Sequence, residues 1–134
     1  MTLPDWEPGT AATLCTVDDA GAPHAIPVST ALRAGPETIV LGLAARRASL
    51  AFLRARPPVA LSGMGKDLAF TAPGTATIAD EDVAGVVAVR VSVTEVHDHR
   101  RPAFALEAPV AWRWTDDEAA ARDAAVRAGL AELG

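Results

Sequence analysis

The chain has 134 residues, half of them hydrophobic, with 12 basic against 17 acidic side chains and a formal net charge of −5. That length supports one core and leaves little for a second, and the acidic balance opposes a nucleic-acid partner, because phosphate neutralisation needs a basic face. No run approaches the ~18 consecutive apolar residues of a membrane span, and the opening MTLPDWEPGT has neither a basic nor an apolar targeting segment, so one domain over residues 1–134, in the cytoplasm and off the membrane, is expected.

Residues 11–17 read as a short apolar strand, and Asp18-Asp19-Ala20-Gly21 behind it suits a tight turn. From His24 to Leu32 the pattern has period two, with Ile26, Val28, Thr30 and Leu32 on one face and Ala25, Pro27, Ser29 and Ala31 on the other. Pro27 has no N–H to give to a ladder, which marks an edge, a bulge or an outward position. Ala34-Gly35-Pro36 reads as a second turn and residues 38–43 as an aliphatic strand. The period then changes. Leu50 and Leu53 stand three apart among small residues, so residues 47–56 are expected to form a short helix stopped by Pro57-Pro58.

Further strands are expected at residues 59–62, at 68–78 with an interruption at Pro73-Gly74, at 87–96 with Val87, Val89, Val91 and Val93 on one face, and at 110–114. Thr115, with Glu118 three residues on, has the form of a capping box. It opens a helix over about 116–133 whose apolar stripe is Val126, Leu130 and Leu133, flanked by the i,i+4 pairs Glu118/Arg122 and Asp123/Arg127. This order predicts a mainly β domain with two helices, an antiparallel barrel of six or seven strands.

Familiar catalytic and metal patterns are missing: there is no Walker loop, no GxGxxG, no GxSxG, no CxxC and no HExxH. Redox chemistry would therefore have to come from a bound cofactor. Cys15 stands alone inside an apolar run and reads as a small buried hydrophobe rather than a nucleophile. His97 and His99 would share a strand face, but no third ligand lies nearby, so no metal is expected. His24, after Pro23, reads as an edge residue rather than a base. The segment with most chemical content is Ala44-Ala45-Arg46-Arg47-Ala48-Ser49, at the junction of a strand end and a helix start. A helix N-terminus carries unpaired amides and partial positive charge, so two arginines and a serine there can cradle a phosphate. The alternative is that the arginines only solvate a loop.

The order of segments resembles the pyridoxamine-phosphate-oxidase-like FMN-binding split β-barrels. Four pieces carry the resemblance, over roughly residues 9–115: ATLCTVDDAGAPHAIPV as the opening hairpin; TIVLGLAARRASLAFLRARPPVAL as strand, basic turn, short helix and next strand; FTAPGTATI; and the valine-rich strand with a terminal strand and helix after it. The resemblance implies that Arg46 and Arg47, with Ser49, bind the cofactor phosphate. It places Pro27, Val28, Ser29 and Thr30 beside the isoalloxazine ring, and Ser62 and Gly63 near the same pocket. It implies FMN as cofactor and a homodimer whose interface helps to form the site, with Trp112 and Trp114 as candidates either for that interface or for packing under the terminal helix. The alanine-rich terminal helix lacks the basic C-terminal segment with which the oxidases bind substrate phosphate, which speaks against that particular activity. Three readings stay open: an FMN-dependent oxidoreductase acting on an unidentified small-molecule substrate or electron partner; a reductase using the deazaflavin F420 on the same fold; and a dimeric binding or structural protein without flavin, or holding another flat ligand such as haem. No side chain is nominated as acid, base or nucleophile.

Overall fold

The computed structural model describes residues 1–133, and of residues 80–82 the backbone alone. In chain order the elements are β1 (Ala12–Val17), β2 (Pro23–Val28), β3 (Leu32–Gly35), β4 (Thr38–Ala44), α1 (Ala48–Ala55), β5 (Pro58–Gly65), β6 (Leu68–Val83), β7 (Val86–Val93), β8 (His97–Asp98) and α2 (Asp117–Leu133). All pairings are antiparallel, in the order β2-β1-β5-β6-β7-β4-β3, with the two-residue β8 added to β6. The path thus holds seven strands and the sheet eight, against the six or seven that the sequence pattern suggests: the run from residue 24 becomes two strands, β8 is too short to leave a periodic trace, and residues 110–114 form none.

The sheet curls so that the inward residues of both halves meet. Leu14, Ile39, Leu41, Leu61, Val89 and Val91 are all but fully buried in one cluster, and α1 inserts Leu50 and Leu53 into it from one end. This follows from the alternation of the strands, which sends every second side chain inward. A second, smaller cluster lies on the outside, where Val126 and Leu130 of α2 cover Val40, Val83 and Ala88. Gly42 permits that approach: a Cβ there would stand 2.8 Å from Val86 Cγ2 and 3.2 Å from Val126 Cγ1.

β6 is the strand that turns the corner. Residues 68–75 pair with β5, whereas from Gly74 onward the partner is β7. The expected interruption at Pro73-Gly74 is therefore a change of partner within one continuous strand. Glycine suits it, because a Cβ at Gly74 would meet Val91 Cγ1 at 2.8 Å, and Pro73 contributes its carbonyl, which accepts the Thr94 N–H at 2.9 Å.

The run expected from His24 to Leu32 divides. β2 ends at Val28 and β3 begins at Leu32, with the turn moved on to residues 36 and 37. Thr30 causes the division. Its hydroxyl donates to the Gly42 carbonyl at 3.0 Å and accepts the Gly42 N–H at 3.1 Å, so that residue fastens to β4 instead of continuing a ladder. No ladder joins β2 to β3, and these paired hydrogen bonds bridge the split between β2 and β4.

Two further expectations need correction. Residues 110–114 form no strand: they run along the surface, with Val110 68 %, Trp112 39 % and Trp114 44 % exposed. Their alternation matches a strand, but no sheet edge pairs with it. At α2 the N-cap is Asp116 rather than Thr115, since the Asp116 carboxylate accepts the Glu118 N–H at 3.0 Å and its carbonyl accepts the Ala120 N–H at 3.0 Å. The Asp123–Arg127 ion pair forms, while Val126 and Leu130 supply the buried stripe. Among the described residues no helix is long and apolar enough to cross a membrane.

Candidate functional site

The split between β2 and β4 opens onto a groove of about 470 Å³, a size at which small cofactors are held. One wall is residues 27–30, at the end of β2, and another is residues 42–44, at the end of β4. Since β2 pairs only with β1, its outer edge carries main-chain groups that no ladder uses. Arg47 lines one part of the groove, and residues 110 and 112–114 form the remaining wall.

Arg47 comes into place through the tight turn after β4, where its N–H donates to the Ala44 carbonyl at 2.9 Å. It is the N-cap residue of α1, with φ −64° and ψ 129°, and no side chain caps the helix there. No acidic residue occupies the first turn. The N-terminus of α1 is thus an uncapped positive end beside an exposed guanidinium, an arrangement that suits an anion. Ser49 is 1 % exposed, and its hydroxyl has no hydrogen-bond partner among the described residues.

Of the residues that the sequence points to, Pro27, Val28, Ser29, Thr30 and Arg47 are brought together at this groove. Arg46, although adjacent to Arg47, does not line it, and nor does Ser49. Ser62 and Gly63 lie elsewhere. Both are within β5, which is separated from β2 by the whole of β1. The Ser62 hydroxyl donates to the Phe70 carbonyl at 3.3 Å, and Gly63 makes room for the Phe70 ring, whose Cε1 would stand 2.6 Å from a Cβ at that position. The sequence pattern ends this strand at residue 62, whereas β5 runs on to Gly65.

Trp112 and Trp114 are not core: both stay exposed, beside α2. Their rings meet edge to face at 5.4 Å and 84°, the Trp112 indole N–H donates to the Gly9 carbonyl at 2.8 Å, and the Arg127 guanidinium lies 5.8 Å from the Trp112 ring centroid. Sequence reasoning saw these tryptophans but placed them on a strand.

The remaining candidates are occupied locally. His97 pairs through Nε2 with Glu95 at 2.9 Å, and His99 Nε2 lies 2.8 Å from Thr71 Oγ1. Between them Asp98 receives Arg100, whose hydrogen bonds hold the carboxyl at about 2, below its ordinary 3.8. His24 packs edge-on against Phe52 at 5.0 Å. Cys15 is half-buried on the outer face of β1. Among the described residues no three His, Cys, Asp or Glu side chains converge as a metal site.

No protein-family model and no characterised protein matches the sequence, but solved structures match the fold. A proposed pyridoxamine 5'-phosphate oxidase from Lactobacillus delbrueckii superposes with a TM-score of 0.59 at 20 % identity, over 66 % of this chain and 84 % of that one. An F420 reductase gives a TM-score of 0.57 at 18 % identity, over 66 % and 90 % of the two chains. A FAD-binding protein from Mesorhizobium loti gives 0.54 at 13 % identity, over 65 % and 83 %. The chain shares with them the split-barrel fold.

Proposed function

We propose that the groove binds a flat, phosphate-bearing redox cofactor of the flavin type, FMN or the deazaflavin F420, and that the chain is an oxidoreductase-like protein whose redox chemistry belongs to that cofactor. The observation that carries this reading is the convergence, at one groove, of the free edge of β2, the exposed Trp112 and Trp114, and Arg47 beside an uncapped helix N-terminus. The three fit three parts of such a molecule. Unused main-chain groups beside Val28 and Ser29 suit the polar edge of a ring, apolar and aromatic side chains suit its faces, and Arg47 suits a phosphate. When bound, a flavin or deazaflavin supplies hydride or electron transfer. The protein's share is to hold the ring at the split, to keep water from it, and to balance the charge of the phosphate.

The same reading includes a homodimer. Two rows of outward residues cross β2, β1, β5 and β6: Pro27, Thr13, Ser62 and Thr71 in one, and Ala25, Cys15, Ala60 and Pro73 in the other. None of the eight is charged, in a chain with 22 % charged residues, and all are small enough for a flat approach. A second copy covering this face would reach the groove at Pro27.

The test is the visible spectrum and flavin fluorescence of the purified protein before and after adding FMN or F420. Quenched FMN fluorescence or a shifted deazaflavin band supports the reading and decides between the two. Failure to take up either removes it and favours a binding role without flavin.

A further inference from the structure

Residues 99–116 contain neither helix nor ladder, yet they are fastened to the barrel at both ends. The Asp67 N–H donates to the Leu106 carbonyl at 2.9 Å, and farther along the Trp112 indole donates to the Gly9 carbonyl at 2.8 Å. What this strap holds in place is aromatic surface left in water. Trp112 is 39 % and Trp114 44 % exposed, whereas Trp6, the remaining tryptophan, stacks on Phe70 at 5.1 Å with its indole N–H on the Ala31 carbonyl. Large aromatic side chains lose much by staying wet, so an exposed pair at the mouth of a groove marks a surface that a ligand covers.

The placement of the pair is informative. Both rings line the groove over the β2–β4 split, and both also line a second cleft of about 460 Å³, against Ala120 and Ala124 of α2. They are a partition with open space on either side, not a packed layer. Their edge-to-face contact, at 84°, leaves them unconsumed by a face-to-face stack. The end of β2 and Arg47 line the same groove.

We propose that Trp112 and Trp114 form the second wall of the binding site, supplied by the same chain. They cover the face of a flat conjugated ring that residues 27–30 leave open, and they select for such rings irrespective of the anionic tail. This inference rests on the flavin-type reading above and adds to it which residues choose the ring and from which chain they come. A partner subunit then has only to border the site, not to complete it. The division of labour is explicit: the strap answers to the ring, Arg47 to the phosphate.

The experiment uses the full chain as wild type, Trp112→Ala, Trp114→Ala, the conservative Trp112→Phe and Arg47→Ala, each titrated with FMN and with riboflavin, which lacks the phosphate. Both flavins should quench the tryptophan emission of the wild type. Each alanine variant at the strap should bind both flavins roughly tenfold more weakly, the scale of a ring stacked on an aromatic side chain. Trp112→Phe should retain most of the affinity, which separates ring contact from a mere need for a folded strap, and Arg47→Ala should weaken FMN alone. Unchanged affinities in both alanine variants would overturn the wall while the flavin reading stands. Loss confined to FMN would overturn it too, since it would put the tryptophans at the phosphate. A wild type that binds neither FMN, riboflavin nor F420 overturns the flavin reading and the wall with it.

Discussion

Arg46 and Arg47 are neighbours in sequence, but the fold gives them different surroundings, so separate alanine substitutions distinguish a site from a basic patch. Arg47 lines the groove from the N-cap position of the uncapped α1, whereas Arg46 is not among the residues that line it. A charge-assisted hydrogen bond to phosphate contributes about 1.5–3 kcal/mol, which corresponds to roughly 10- to 150-fold in affinity. Arg47 is exposed, and water competing for its guanidinium puts the expected loss at the lower end, about 1.5 kcal/mol or tenfold for Arg47→Ala. Arg46→Ala acts only through screened long-range attraction and should change FMN affinity by less than about threefold. The assay is titration of flavin fluorescence at low and high salt, with riboflavin as the ligand that carries no phosphate. Arg47→Ala should leave riboflavin affinity alone, and its effect on FMN should shrink as salt rises. Equal losses at the two arginines would refute the assignment of the phosphate to Arg47. So would a riboflavin loss as large as the FMN loss.

Gly63→Ala should destabilise the chain by about 1–3 kcal/mol, because the new methyl meets the Phe70 ring at 2.6 Å, while FMN affinity stays as in wild type; denaturant melts and flavin titration check the two halves. Leu130→Ala removes a fully buried side chain between α2 and the sheet and should cost about 2–5 kcal/mol by the same melts. Thr30→Val removes both hydrogen bonds across the split and should cost about 1–3 kcal/mol, with faster hydrogen exchange at the Gly42 amide. The Asp98 carboxyl, lowered by its hydrogen bonds to Arg100, should titrate near 2 in an NMR pH series and move back toward 3.8 in Arg100→Gln. Because the folded value lies below the unfolded one, the contribution of this pair to stability is present above about 4 and disappears as the pH falls toward 2.

Elements that send a regular face into the one central core were legible in the sequence. β1, β4 and α1 alternate or repeat cleanly because each places its inward apolar residues in that core, and their expected bounds fall within a residue or two of those observed. Where a residue answers to two partners, the local pattern misleads. Thr30 continues the period of β2 but spends its hydroxyl on Gly42, twelve residues away, and the strand stops. Residues 110–114 alternate like a strand without an edge to join, so only the positions of other strands could have excluded them. The site divides the same way. Residues 27–30 and Arg47 belong to the segments that carry the family resemblance, whereas the strap's closure over the groove depends on Gly9 and Arg127, at sequence distances that no local pattern reports.

The alternation that fills the barrel also decides which outer surfaces need a cover. On the outer side of β4, β6 and β7 the aliphatic residues Val40, Val83 and Ala88 lie together, and α2 lays Val126 and Leu130 across them. The outward residues Pro27, Thr13 and Ser62, and Ala25, Cys15 and Ala60, of β2, β1 and β5 are small and uncharged, and no helix among the described residues covers them. Between these two regions the ladder is broken: no ladder joins β2 to β4, and just beyond β2 the Thr30 hydroxyl hydrogen-bonds to Gly42. An open strand edge is ordinarily a liability, because its unused N–H and C=O groups can pair with any passing strand. Here the edge borders a groove lined also by two tryptophans and an arginine. The break in the ladder is thus the origin of the site: a closed barrel of this size would fill its interior with side chains and leave no main-chain groups for a ligand.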